Sequence, residues 1–77
     1  MVHKSHEISG LGDACHYLHQ MLTETEDWQL DFYNIEGALL MTFENDEETL
    51  QALEDVEDTY QMVCEAMDMA LMMGNEF

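Results

Sequence analysis

The sequence predicts a small α+β domain in which two helices cover a two-stranded antiparallel hairpin. Apolar residues recur at helical spacing in two segments, and two shorter segments between them alternate between apolar and polar residues. The 77 residues suffice for one domain, so residues 1–77 are expected to form a single acidic unit with the order helix, strand, strand, helix. Residues 1–8 lie outside the predicted elements, as a segment free to be flexible.

The first helix is predicted to start at Ser9 or Gly10 and to continue to Thr23. Its apolar residues lie three or four positions apart and form one inward-facing stripe: Ile8, Leu11, Cys15, Leu18 and Leu22. An acidic connector follows, with the side chains of Glu24, Glu26 and Asp27. Acids at the C-terminal end of a helix oppose its dipole, by a few tenths of a kcal/mol and up to about 1 kcal/mol. The acids of the connector are therefore placed unfavourably with respect to the dipole of the first helix.

Residues 28–35 and 38–44 alternate as two β-strands, and Glu36-Gly37 supplies a hairpin turn between them. The expected register joins Ile35 to Ala38, Leu30 to Phe43, and Phe32 to Met41. A slip by one residue would mix the two faces of the hairpin. The outer face then carries polar and aromatic side chains that stay wet: Gln29, Asp31, Tyr33, Thr42 and Glu44.

The second helix is predicted to start at Asn45 or Asp46, with Glu48 as the acid of a capping box, and to end before Gly74. Its core-facing residues are expected to be Leu53, Val56, Tyr60, Val63, Cys64, Met67 and Leu71. A lone hairpin is marginally stable in water, so both helices are needed to cover its apolar face.

Charge is the strongest functional signal in the chain. Eighteen residues are Asp or Glu, one residue, Lys4, is a permanent base, and the net charge is -17, yet 47% of residues are apolar. This apolar content argues against disorder. On a continuous second helix, one side collects the acids Glu47, Glu54, Asp58, Glu65 and Asp68, with Glu57 at its border. The alternative is an ordinary solvated face, but such faces interleave both signs for i,i+4 pairing, which Lys and Arg are too scarce to provide here.

A polyanion repels nucleic acid and anionic membranes, so the expected partner is a basic nucleic-acid-binding protein or ribonucleoprotein. A compact domain of this length is about 30 Å across, and duplex DNA of that length carries about 17 or 18 phosphate charges. The total charge therefore permits mimicry of a duplex segment. The acids of the second helix, joined by Glu24, Glu26, Asp27, Asp31 and Glu44, are the predicted docking surface.

Methionine gives a second, apolar signal. On the second helix, four residues form a flank outside the core stripe: Met62, Ala66, Met69 and Met73. This flank predicts either a homodimer surface or an adaptable contact for a partner. The alternative is that the N-terminal segment covers it within one subunit.

Other chemistry is weakly indicated. Histidine occurs twice at H-x-x-H spacing, in the pairs His3–His6 and His16–His19, but no third ligand follows at a defined spacing, so no metal site is expected. Cys15 and Cys64 are expected to be free, buried thiols rather than a disulfide. The chain has no Gly-rich phosphate loop or nucleophile elbow. Neither an enzyme nor a cofactor is therefore expected.

In size, charge and single-domain plan the chain resembles the small acidic proteins that phages and mobile elements use as DNA mimics, which include anti-restriction proteins, uracil-glycosylase inhibitors and several anti-CRISPR proteins. No motif aligns, so no binding residue is carried over. The resemblance implies a stoichiometric inhibitor, with anti-CRISPR as the preferred subclass. Residues 1–10 lack the apolar run of a secretory signal, so a cytoplasmic location is expected, in the host cell if a phage encodes the chain.

Two other functions remain open at this stage. Halophilic cytosolic proteins also combine many acids with few lysines, and there the charge serves hydration rather than a partner. An acidic antitoxin or assembly adaptor would use the same charge to mask a basic protein.

Overall fold

The computed structural model describes all 77 residues. Its elements are β1 (Val2–Glu7), α1 (Leu11–Gln20), a 3-10 turn (Met21–Thr23), β2 (Trp28–Tyr33), β3 (Leu39–Glu44), α2 (Glu47–Ala52) and α3 (Val56–Met72). The strands form one mixed sheet in the order β1-β2-β3, with β1 parallel and β3 antiparallel to β2. The α+β class is confirmed, but the sheet has three strands, where a two-stranded hairpin was predicted.

The N-terminal residues form β1, where the sequence predicted no regular element. Val2 is aligned with Trp28 and His6 with Phe32, and the Val2 N–H donates to the Asp27 carbonyl at 2.8 Å. The prediction missed this strand because it is a polar edge strand in which only Val2 and His6 are even half-buried. Its order comes from backbone hydrogen bonds to β2 rather than from its own apolar residues. The segment β1-α1-β2 is thus a parallel strand pair joined through a helix.

The helices pack on one face of the sheet and enclose the core. Trp28, Leu30 and Phe32 alternate along β2, and all three are fully buried against α1 and α3. From the helices, Leu18 and Val63 complete this centre with no exposed surface. The opposite face of the sheet carries the polar side chains of β2 and β3. This two-layer arrangement leaves one sheet face and the outer sides of the helices open to partners.

The predicted hairpin register is confirmed over most of its length. Leu30 pairs with Phe43 and Phe32 with Met41, but the register shifts after Phe32, so that Tyr33 pairs with Leu39. Leu40 is therefore an extra residue in β3. Because a bulge turns two successive side chains to the same side, Leu40 and Met41 are both buried while Leu39 is 46% exposed. An uninterrupted alternation from Phe43 would instead place Leu39 inside and Leu40 outside.

The hairpin turn is longer than the predicted Glu36-Gly37 pair. The Asn34 N–H donates to the Ala38 carbonyl at 3.0 Å, so three residues close the turn between them. The Asn34 side-chain oxygen accepts from the N–H groups of Glu36 and Ala38, each at 2.9 Å. Gly37 has φ +84°, the left-handed conformation that glycine adopts without strain. The asparagine side chain thus builds the loop that accompanies the bulge.

The predicted second helix is broken in two. Asp55 has an extended backbone at φ -131°, and its carboxylate accepts from the N–H groups of Glu57 and Asp58. Asp46 caps α2 in the same way, by accepting from the Thr49 N–H at 2.8 Å. Aspartate competes for backbone donors and so favours a helix start over a helix interior. The core-facing set is also smaller than predicted: Leu53, Val63 and Met67 are buried, whereas Val56, Tyr60 and Leu71, predicted to be inside, are half or more exposed.

The α3 helix ends near the predicted position. Gly74 has φ +87°, and the Asn75 N–H returns to the Ala70 carbonyl at 2.9 Å, as in a Schellman motif. The tail then contacts the hairpin, where the Asn34 side-chain amide donates to the Glu76 carbonyl at 2.7 Å. No helix of the fold combines the length and the apolar character required to cross a lipid bilayer.

The Asp55 cap gives a direct test of the helix break. Asp55→Ala should lower the free energy of unfolding by about 0.5 to 2 kcal/mol, because two N–H groups of α3 lose their acceptor. Urea unfolding followed by circular dichroism measures the change. Glu54→Ala removes the same charge from a side chain with no hydrogen bond, and it is the matched control. Equal stability of the two variants would contradict the capping role.

Candidate functional site

The first part of the acidic surface lies where β2 starts and β3 ends. The Asn45 side-chain amide donates to the Asp27 carboxylate at 3.1 Å, and the Asn45 N–H donates to the Trp28 carbonyl at 3.3 Å. These contacts hold the connector after α1 beside the start of α2. As a result, one end of the sheet gathers seven acids: Glu24, Glu26, Asp27, Glu44, Asp46, Glu47 and Glu48.

The second part runs over α2 to the start of α3. Glu47 and Glu54 line one shallow depression on the outer side of α2. Asp55 follows Glu54 directly, and Glu57 and Asp58 occupy the first turn of α3. Acids therefore recur along α2 and the start of α3.

The third part is a row of acids along α3. Asp58, Glu65 and Asp68 are exposed, and at 100° per residue they lie opposite the side that buries Val63 and Met67. We call the three parts together the acidic band. Five acids lie outside it: Glu7, Asp13, Asp31, Glu36 and Glu76.

The helix break corrects the predicted stripe. Because α2 and α3 are separate helices, Glu47 and Glu54 do not share a helix face with Asp58. The row on one face is limited to α3, where Asp58, Glu65 and Asp68 remain aligned. The predicted acids other than Asp31 still follow one another from the end of the sheet over α2 to α3, so the candidate surface bends around α2 rather than following one straight helix.

Nearly all of this charge is unpaired. The structure has one ion pair, between His3 and Asp31, and the only permanent base, Lys4, lies on β1 at the opposite edge of the sheet from β3. Two acids of the band have a structural role as caps, and hydrogen bonds from Thr49 lower the pKa of the Asp46 carboxyl. The row on α3 has no such role, because its only hydrogen bond is a long one of 3.4 Å from Gln61 to Glu65.

Asp31 does not belong to the docking surface, contrary to the prediction. It is only 6% exposed, and its carboxylate accepts from His3 at 2.6 Å, from Thr42 at 2.9 Å and from Gln29 at 3.2 Å. Burial acts to raise the pKa of Asp31, but these hydrogen bonds and the charge of His3 outweigh it and hold the pKa below its usual value. Asp31 instead ties β1 and β3 to the centre of the sheet.

The methionine flank of α3 faces β3. Met62 and Ala66 are half-buried, while Met69 and Met73 are 67% and 80% exposed. The N-terminal segment does not cover the flank, since it forms β1 at the other edge of the sheet. An open groove remains between α3 and β3.

Cysteine and histidine side chains are used inside the fold. Cys15 and Cys64 are free and half-buried, and burial together with the nearby Cys64 thiol raises the pKa of Cys15. His19 contacts the Thr59 hydroxyl at 3.2 Å across the seam between α1 and α3. His6 stacks on Tyr17 with ring centroids 3.8 Å apart. No group of three or more His, Cys, Asp or Glu side chains is placed to hold a metal ion.

Comparison of the chain with protein-family models, with curated proteins and with solved structures found no match. The function must therefore be inferred from the charges and contacts of this chain.

Asp31 should make stability depend on pH in a defined direction. Its folded-state pKa lies below the unfolded value of about 3.9, so its contribution is present above about pH 4 and is lost as the pH falls through the folded-state value. Asp31→Asn should lower the free energy of unfolding by about 1 to 3 kcal/mol at pH 7. The difference from wild type should shrink below pH 4, as measured by urea unfolding.

The control for this experiment is Glu44→Gln, an exposed acid on the same face of the sheet. It should change stability by less than about 0.5 kcal/mol at any pH, because surface substitutions away from structural contacts have small effects. A difference between Asp31→Asn and wild type that stayed constant from pH 7 to pH 3 would refute the role of the ionised carboxylate.

Proposed function

We propose that this protein is a DNA-mimic inhibitor that occludes the basic nucleic-acid-binding groove of a bacterial defence complex. The favoured target is a CRISPR effector complex, whose binding of target DNA would be blocked. The protein acts stoichiometrically and without catalysis, in the cytoplasm of the host cell. Lys and Arg side chains that otherwise grip phosphates bind the carboxylates of the acidic band.

One observation carries the proposal: the row of exposed acids on α3 lacks both a basic partner and a structural role. Asp46 and Asp55 have a structural role as helix caps, and Asp31 has a structural role in a hydrogen-bond network. Glu65 and Asp68 have neither of these roles. Uncompensated like charge weakens a small fold, so its concentration on one connected surface favours a use in binding.

The dimensions of the acidic band also support mimicry. The molecule is 32 Å long, and α3, with 17 residues, spans about 25 Å. Asp58 and Glu65 are separated by about 10.5 Å along the helix axis, and Glu65 and Asp68 by about 4.5 Å. Measured along the duplex axis, three phosphate steps of a DNA strand and one step give comparable intervals, at about 3.4 Å each. A groove that tracks a phosphate backbone therefore meets charges at a similar spacing.

The mode of binding follows from the charge. Opposite charges on the two partners speed up their encounter, and salt screens that attraction. Association should thus be fast at low ionic strength and should slow as salt is added, whereas the salt dependence of dissociation should be weaker.

Reversal of three acids tests the proposal. The triple variant Glu54→Lys, Asp58→Lys and Glu65→Lys should abolish inhibition of DNA binding by the effector complex, because it replaces attraction with repulsion along the band. Inhibition is measured as loss of the effector–DNA complex in a gel-shift titration against a panel of CRISPR effector complexes. Circular dichroism checks that the variant remains folded.

The matched control is the variant Glu7→Lys, Glu36→Lys and Glu76→Lys. It changes the net charge by the same amount at exposed acids outside the band. Full inhibition by this control and none by the first variant would locate binding on the band. If both triple variants lose inhibition equally, the net charge alone is responsible. If the first variant inhibits as well as wild type, the band is not the contact surface.

A folding measurement separates this proposal from a halophilic role of the charge. We expect the domain to be folded at about 0.15 M salt, where the Debye length is about 8 Å, with a modest gain in the free energy of unfolding as NaCl is added. Circular dichroism during a NaCl titration tests this. A chain that folds only in molar salt would favour hydration as the purpose of the acids.

A further inference from the structure

A groove between β3 and α3 forms a second potential contact surface beside the acidic band. Its volume is about 410 Å³, and seven of its nine lining residues are hydrophobic. Residues 39–42 of β3 form one wall, and Ala66 and Met69 of α3, with Met73 just beyond the end of that helix, form the other. At the hairpin end, the Asn75 side-chain amide donates to the Leu39 carbonyl at 3.1 Å and closes the groove.

One side of β3 offers an unpaired backbone. β3 is an edge strand, and its hydrogen-bonded partners lie only on β2. The Asn45 N–H bonds to the Trp28 carbonyl, so hydrogen-bonded pairs recur every second residue, at Phe43 and Met41. The N–H and C=O groups of Thr42 and Glu44 therefore point away from the sheet. An extended peptide can pair with these groups as an added strand.

Acids border the groove on both sides. On α3, Glu65 precedes Met69 by four residues, so this acid is the surface neighbour of a groove methionine. On β3, Glu44 lies two residues beyond Thr42, the last residue of this strand that lines the groove. The nearest permanent base in the sheet, Lys4, lies on the far edge strand. A segment in the groove thus meets apolar side chains below it and carboxylates around it.

These charges favour a basic occupant over a second copy of this chain. A homodimer through the groove would bring together two chains of net charge -17, with no Lys or Arg beside the groove to offset the carboxylates that border it. A basic segment gains from the same carboxylates. Successive side chains of a strand point to opposite faces. A segment that alternates apolar and basic residues would therefore bury its apolar side chains against Met69 and Met73 and present its basic side chains to the acids.

We propose that the groove binds an extended segment of the target protein with alternating apolar and Lys or Arg residues, added as a strand along β3. The proposal rests on the proposed function in taking the target to be basic. In this proposal the two surfaces have different roles. The acidic band speeds up association with the target. The groove slows dissociation, because salt does not screen its apolar contacts.

The test uses a labelled peptide, Lys-Val-Lys-Ile-Lys-Val, as the probe. A peptide of the same composition in blocks, Lys-Lys-Lys-Val-Ile-Val, is the control for charge alone. In fluorescence anisotropy, the alternating peptide should bind at least about tenfold more tightly than the block peptide. NMR titration should shift the amide signals of Thr42 and Glu44, because their N–H groups receive the added strand.

Three variants locate the site. The double variant Met69→Gln and Met73→Gln should weaken binding of the alternating peptide about tenfold, because it removes apolar contact from the α3 wall. Thr42→Pro should also weaken it, because this removes an outward N–H that β2 does not use; the change also removes the hydroxyl that donates to Asp31, so urea unfolding checks that this variant remains folded. Met72→Gln makes the same chemical change at a residue that is 87% exposed and outside the groove, and it should leave binding within about twofold of wild type.

The outcomes separate the groove from the proposed function. Equal binding of the two peptides, or signal shifts confined to Asp58, Glu65 and Asp68, would overturn the groove proposal in favour of plain charge attraction. If sedimentation shows that the wild-type protein is a dimer and that the double variant Met69→Gln and Met73→Gln is a monomer, the occupant of the groove is a second copy of this chain. If the alternating peptide binds but the protein inhibits no effector complex, the proposed function is wrong and the groove proposal is retained.

Discussion

The balance between one small apolar core and a net charge of -17 is the constraint on which the rest of this structure depends. The helices bury Trp28, Leu30 and Phe32. The free energy gained by this burial has to offset the repulsion between the carboxylates, which almost no basic side chain reduces. The fold limits that cost by where it places acids. Asp46 and Asp55 lie at helix N-termini, where backbone N–H groups and the helix dipole stabilise negative charge. Part of the acidic surplus therefore helps the fold.

Structural and free carboxylates can be distinguished by their partners. Asp31 is buried and accepts three side-chain hydrogen bonds, one of them from His3 on the strand that the sequence did not predict. It joins the three strands and has no surface to offer a partner. The acids of α3 show the reverse pattern, with exposed side chains and hardly any internal contact. This contrast, rather than the total charge, makes the row on α3 the best-supported part of the candidate site.

The acidic row and the apolar groove lie side by side because of the geometry of α3. Its buried side packs on the core, its outer side carries Glu65 and Asp68, and the side between them carries Met69 and Met73 toward β3. Charge attraction acts over a Debye length, and apolar contact acts only on touching. A partner can thus be drawn in by one surface and retained by the other. The edge position of β3 makes its backbone part of the same surface.

The sequence by itself determined that helical segments flank a β-hairpin, that Leu30 pairs with Phe43 and that the chain is rich in acids, because composition, periodicity and local turn residues encode these features. It also indicated most acids of the candidate site. The tertiary structure decided that residues 2–7 form a strand, that Leu40 bulges inward and that Asp55 separates α2 from α3. These features depend on hydrogen bonds between segments distant in sequence, or on a competition between a side-chain cap and a helical backbone. Local patterns do not contain the energies of such alternatives, so only the assembled fold selects among them.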